Sequence, residues 1–247
     1  MKTAHFEFSL SLRPLLARDR RDGVVDLCFD GPQTAKHLIE SLGIPHTEIG
    51  ELRANGEVAG LGYLVHDGDR LEVQAVKRAG NNEHEPRFVL DGHLGRLASH
   101  LRMLGLDCLY DRASTDEQLA QVSAEEGRIL LTRDRRLLMR KIVTQGTLLR
   151  SLDSNEQLHE VVQRYELWQW VKPFQRCLRC NHPLEMVSKE AVIERLEPLT
   201  KRYFDEFRLC PACDQVYWKG SHYERMLEVI ARVAGNKLQE NIPKVSS

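Results

Sequence analysis

Residues Arg87 to Arg136 read RFVLDGHLGRLASHLRMLGLDCLYDRASTDEQLAQVSAEEGRILLTRDRR. Three short apolar runs in it, Arg87–Leu90, Cys108–Tyr110 and Ile129–Thr132, alternate with longer segments of helical spacing, the pattern of βα units feeding one parallel sheet. Each run stops at or just before an acid: Asp91, Asp111 and Asp134. In an open α/β sheet, ligands sit outside the carboxyl ends of the strands, so acids placed there share a crevice even when far apart in sequence. The stretch predicts an α/β fold with its chemistry at the strand ends.

Working outward, Leu94, Leu97, Ala98, Leu101 and Leu104 line one helical face that Gly105 closes, and His93, Arg96, His100 and Arg102 fall off it. Ser114–Glu117 reads as a capping box opening a second helix, with Leu119 and Val122 inward. Gly146–Leu149 reads as a fourth strand, and Asp153–Glu156 opens a helix carrying Leu158, Val161, Val162 and Tyr165. The polar stretch Ala79–Pro86 marks a boundary, so this α/β domain is expected over 86–168.

The acids have two readings. Asp116, Asp134 and Asp153 each start a predicted helix, where a carboxylate is stabilised by free backbone N–H groups with no catalytic role. Asp91 instead ends a strand, and Gly92 after it allows close approach to the sheet's carboxyl edge. Carboxylates gathered at one place repel, and a hard divalent cation with oxygen ligands, Mg²⁺ or Mn²⁺, is the ordinary remedy. Arg96 and Arg133, among several basic residues nearby in sequence, could neutralise a polyphosphate backbone or simply form solvated helix faces.

Residues 1–79 read as a separate domain. His5–Leu12 and Val24–Phe29 alternate as a hairpin, and Pro32–Leu42 reads as a short helix with Ala35, Leu38, Ile39 and Leu42 on one face. Asn55–Gly56 is a tight-turn pair, and Asp67–Asp69 introduces a final strand, Leu71–Val76. The order ββαβββ resembles the β-grasp fold, and the ending HDGDRLEV resembles the ubiquitin-like sulfur carriers. Those carriers need a free C-terminal Gly-Gly, whereas this strand runs on past a single Gly80. The domain is therefore read as a small binding or scaffolding element that could engage a protein partner, and Cys28 as a buried apolar side chain.

Cys177-Leu178-Arg179-Cys180 and Cys210-Pro211-Ala212-Cys213 form the most specific signal in the chain. Four thiolates so paired make a tetrahedral Zn²⁺ site with structural rather than catalytic character. The insert Leu184–Phe207 between the pairs is long enough for short elements of its own. Val216–Tyr223, with aromatics, Lys219 and Gly220, could stack bases and touch phosphate, or pack on the ribbon. A ribbon with a following helix is expected over 171–234 and a frayed tail over Gly235–Ser247.

The chain has 247 residues and 42% hydrophobic content, enough for such cores, and a formal net charge of −1. Residues 171–247 alone carry more bases than acids, so nucleic acid could be held only by local patches. No 18-residue apolar run exists, and Met1–Leu10 lacks a signal-peptide profile, so a cytoplasmic protein with no membrane contact is expected.

FVLDGHLGRLASHLRMLG, GRILLTRDRRLL and VYWKGSHYERM closely resemble the Mut-seven C-terminal RNase family, in which a PIN-like nuclease domain precedes a zinc ribbon, often with an N-terminal ubiquitin-like domain. The resemblance implies a β-grasp domain, a three-layer α/β domain with a mostly parallel sheet, and a ribbon. It further implies a metal-dependent ribonuclease, with Asp91, Asp116 and Asp134 as the metal-holding acids, Asp111 competing with Asp116, and Asp153 as a fourth. The helix after the first strand offers no acid between Leu94 and Leu104, a departure from the PIN pattern that leaves one or two metals open. The rival reading is a non-catalytic RNA- or ribosome-associated adaptor whose acids are helix caps. Because the acids and the ribbon fall in separate predicted domains, losing the zinc is expected to leave the Asp91 site intact.

Overall fold

The computed structural model describes residues 1–77, 84–220, 223, 227 and 228. Most of the Ala79–Pro86 linker, most of the helix expected to follow the ribbon and the tail lie outside the described residues.

Strands β1 (Lys2–Phe8) and β2 (Val24–Phe29) form the expected antiparallel hairpin. The first strand ends at Phe8 instead of Leu12, because Ser9 accepts the amides of Leu12 and Arg13 and Pro14 suits the helical turn that follows, Arg13–Leu15. Leu10 is consequently 77% exposed, while Phe6, Phe8 and Leu12 are buried. After β3 (Gln33–Thr34), helix α1 (Ala35–Ser41) starts at Thr34, whose hydroxyl accepts the His37 amide, and buries Ala35, Leu38 and Ile39. Strands β4 (Ile49–Ala54) and β5 (Glu57–Ala59) turn through Asn55–Gly56, both at positive φ. Strand β6 (Leu64–Val65) pairs with β3, and β7 (Arg70–Ala75) inserts between β4 and a parallel β1. The sheet order β2-β1-β7-β4-β5 with α1 is a β-grasp arrangement. Asp69 is buried at the entry to β7 and accepts from Asn55 Nδ2, Tyr63 Oη and the His66 amide. Burial disfavours its charge, but these hydrogen bonds outweigh burial and hold the carboxyl below its usual range.

The central segment follows with β8 (Phe88–Leu90), α2 (Gly95–Met103), β9 (Cys108–Tyr110), α3 (Asp116–Glu126), β10 (Ile129–Thr132), α4 (Arg135–Leu138), β11 (Gly146–Leu148) and α5 (Ser154–Tyr165). Pairing is parallel within β8–β9 and within β10–β11, the α/β pattern expected. Leu94, Leu97, Ala98, Leu101 and Leu104 are all buried. Gly105 stands at φ +91°, and a Cβ there would overlap the Lys172 carbonyl. Any other residue at Gly105 would meet both backbone strain and a clash. On α3, Leu119 is buried as expected, but Val122 is only half-buried and Ser123 takes the inner place, donating to the Arg128 carbonyl at 2.7 Å.

The cysteine-bearing segment contains β12 (Glu185–Val187), α6 (Lys189–Val192), α7 (Pro198–Tyr203), β13 (Phe207–Leu209) and β14 (Val216–Trp218), with β12-β13-β14 an antiparallel sheet. The insert supplies β12, α6 and α7, and Val192 at the end of α6 and Leu196 in the link to α7 pack on Phe207 and Val216.

Contacts group the chain into two compact units, Met1–Arg78 with Thr115–Leu148, and Ala79–Ser114 with Leu149–Ser247. In the first, the β-grasp domain holds the segment that carries β10 and β11. Glu48 Oε1 accepts the Leu148 amide at 2.8 Å, His46 Nε2 bonds the Val143 carbonyl at 2.8 Å, and Arg135 Nη1 donates to the Leu15 and Gly43 carbonyls. In the second, α2 packs on α5, and Phe88 meets Tyr165 edge to face.

Candidate metal centre and acidic strand ends

The two cysteine pairs adopt the same local form. Cys177 N donates to the His182 carbonyl and Asn181 N to the Cys177 carbonyl; Cys210 N donates to Gln215 O and Asp214 N to Cys210 O. Asn181 and Asp214, each following the second cysteine of its pair, sit at φ 70° and 58°. Asn and Asp tolerate this left-handed conformation best among residues with a Cβ, so C-x-x-C-N and C-x-x-C-D encode the two turns. The turns bring all four Sγ atoms within 4.8 Å of one another, with Cys177–Cys213 at 3.5 Å and Cys180–Cys210 at 3.4 Å. A tetrahedron of ~2.3 Å Zn–S bonds has sulfurs about 3.8 Å apart, so the quartet fits a metal ion such as zinc. His182, a conceivable substitute ligand, has an exposed side chain and is not in the group.

Tyr217 was expected only as a base-stacking or packing aromatic. Its hydroxyl accepts the Leu178 amide at 3.1 Å, leaving its proton for Cys177 Sγ, also at 3.1 Å. Burial opposes a charge on Cys177, but the Tyr217 hydroxyl and the Cys180 and Arg179 amides bring the thiol down to about 6. Burial and the neighbouring sulfurs push Cys213 up to about 12. Four such thiols ionise together only around a shared cation.

The acids occupy distinct local settings. Leu90 and Tyr110 are paired residues at the ends of β8 and β9, so Asp91 and Asp111 follow side by side at one carboxyl edge. Asp91 Oδ1 accepts the His93 amide at 3.3 Å, and Asp111 Oδ1 accepts the Ala113 amide at 3.0 Å. The Tyr110 hydroxyl donates to the Gly92 carbonyl at 3.0 Å, and its ring lies where a Cβ on Gly95 would stand, with Oη at 2.7 Å. Gly95 is thus required for that aromatic to brace the turn after Asp91. Asp116 is exposed and is not the cap of α3: Thr115 and Gln118 form that box. Asp134 does cap α4, accepting the Arg136 amide at 2.7 Å, and Asp153 caps α5 through the Asn155 and Glu156 amides. Asp91, Asp111 and Asp153 belong to one compact unit, Asp116 and Asp134 to the other.

Arg96 and Arg133 are exposed, as a phosphate contact requires. Lys219 is paired with Glu206 at 2.5 Å, which tempers its reach for phosphate. His100 is half-buried near the start of α5, and burial pushes its pKa down, leaving a neutral ring at pH 7. Cys28, expected to be buried, is exposed on the outer face of β2 beside the Thr3 hydroxyl.

A β-grasp sheet, an α/β segment of parallel strands with acids at their ends, and a four-cysteine ribbon together define a multidomain protein with a candidate metal centre in its ribbon. The model described as Mut7-C RNAse domain matches residues 86–230, and the one described as Mut7-C ubiquitin matches residues 1–80. The first covers more than half of the chain, which belongs to the Mut7-C RNAse domain family. No curated protein and no solved structure matches. Among the described residues, no helix is long and apolar enough to cross a membrane.

Proposed function

We propose that this chain is a metal-dependent ribonuclease, with Asp91 among the acids that hold Mg²⁺ or Mn²⁺. The observation that supports it most is the Mut7-C RNAse match over 86–230, joined to the placement of Asp91 directly beyond β8. Hard carboxylate oxygens suit such an ion. When bound, it would neutralise charge on the phosphodiester and lower the pKa of a coordinated water. Arg96 and Arg133 would orient the RNA backbone by charge, and Lys219 would add a contact from the ribbon. Asp111, registered beside Asp91, competes with Asp116 for a place among the acids. The four cysteines would hold a structural zinc, and the ubiquitin-like domain would engage a protein partner.

Mixed cellular RNA incubated with the purified chain, with and without EDTA, tests the reading. Cleavage is expected with Mg²⁺ or Mn²⁺, is lost on chelation, and falls at least a hundredfold in Asp91→Asn while zinc content stays at one per chain. Binding of RNA without cleavage under every metal condition would overturn it in favour of the adaptor, a role that the capping bonds of Asp134 and Asp153 would suit.

A further inference from the structure

Arg102 falls off the apolar face of α2, yet it is only 3% exposed. Its Nε and Nη1 are both turned to backbone carbonyls. Nη1 donates to Leu178 O at 3.1 Å and Arg179 O at 2.9 Å, inside the first cysteine turn, and Nε donates to Cys108 O at 3.0 Å, the first residue of β9. Asn181 makes the reciprocal connection. Its Oδ1 accepts the Cys108 amide at 3.0 Å, and its Nδ2 donates to Asp107 Oδ1 at 2.9 Å. Arg176 adds a third tie, donating through Nε to Gly105 O at 3.2 Å and through Nη1 to Asn181 O at 3.1 Å, with Nη2 3.5 Å from Asp107 Oδ2. The Lys172 amide closes the set on Leu104 O at 2.9 Å.

Both backbone hydrogen-bonding groups of Cys108 are therefore engaged by residues that stand on, or reach into, the metal-binding turn. Asn181 bears the positive φ that shapes that turn, so its side chain points at β9 only while the turn is formed. The connection continues past Cys108. Strand β9 pairs with β8, and Tyr110 braces Gly92 in the turn after Asp91.

We propose that the four-cysteine centre is a clamp on strand β9, with Arg102 and Asn181 as the positioning residues that carry metal occupancy of the ribbon to the strand ends bearing Asp91 and Asp111. The physical basis is the cost of stranding buried polar groups. When the ion leaves, nothing bonds the four sulfurs to one centre and the turn opens. Arg102 Nη1 then loses the Leu178 and Arg179 carbonyls and the Cys108 amide loses Asn181 Oδ1, in a place with little water, and the strand loosens with the turn. This clamp stands whether or not the chain cuts RNA, since it is read from bonds within one compact unit.

Hydrogen exchange of the full chain, zinc-loaded and chelator-stripped, tests it. Stripping is expected to raise exchange about tenfold in peptides covering 106–112 in step with those covering 176–186, while the β1 peptide 2–8 keeps its rate. Protection retained at 106–112 after 176–186 has lost it would overturn the clamp. Asn181→Ala is the milder second probe, because all four cysteines remain. It is expected to bind one zinc per chain, release it faster to a chelator, and exchange faster at 106–112. Unchanged exchange there in both Asn181→Ala and Arg102→Gln would overturn the proposal, as would an equal rise at 2–8, which marks general destabilisation.

Discussion

At the scale of single residues, the metal centre depends on more than its ligands. Tyr217 donates to Cys177 Sγ and simultaneously relieves the Leu178 amide. Removing a partner of this kind typically lowers metal affinity 10- to 100-fold. Tyr217→Phe is therefore expected to keep one zinc per chain at saturation but to lose it to a competing chelator at concentrations roughly tenfold lower or more. Cys213→Ser goes further, since three thiolates leave the site open. Zinc below one per chain and rapid proteolysis within 175–218 are expected, because the ribbon's own apolar clusters are small. Retention of a full equivalent of zinc in Cys213→Ser would mean that a histidine completes the site.

At the scale of elements, two local devices can be weighed. Thr115 accepts the Gln118 amide and Gln118 Oε1 accepts the Thr115 amide, so helix α3 begins on a reciprocal pair. Thr115→Ala is expected to cost about 1 kcal/mol in denaturant unfolding. It would also free the turn ahead of Asp116. The β-grasp sheet rests at one end on Asp69, whose folded pKa lies below that of the unfolded chain. A depressed carboxyl contributes stability above the unfolded value of ~3.9 and loses it as pH falls through the folded pKa. Asp69→Asn should therefore narrow the gap between unfolding midpoints at pH 7 and pH 3, and an unaltered gap would show that the Asp69 charge adds nothing.

At the scale of the whole molecule, the compact units do not follow the chain's linear order. Residues 115–148 are held by the ubiquitin-like domain through Glu48, His46 and Arg135. The Leu148 amide is buried against Glu48, so Glu48→Ala is expected to destabilise that unit by about 1–3 kcal/mol. A fragment ending at residue 79 is expected to melt below the corresponding transition of the full chain. In the other unit, Asp91 shares a compact body with the ribbon, which changes the expectation that zinc loss would leave it untouched.

Much of this was legible in sequence because it is periodic or locally encoded. The buried face of α2, the Asn55–Gly56 turn, the α/β alternation and the C-x-x-C spacing each follow from near-neighbour stereochemistry or from apolar residues recurring at one pitch. Tertiary structure alone decided the rest. Arg102 looks like a solvated charge until two carbonyls of the first cysteine turn, more than seventy residues further along the chain, converge on it with that of Cys108. Asp91 and Asp111 become neighbours only through the register of β8 on β9. A long-range hydrogen bond has no period and leaves no local composition, so the partners of a buried polar group are chosen by the packed chain rather than written beside it.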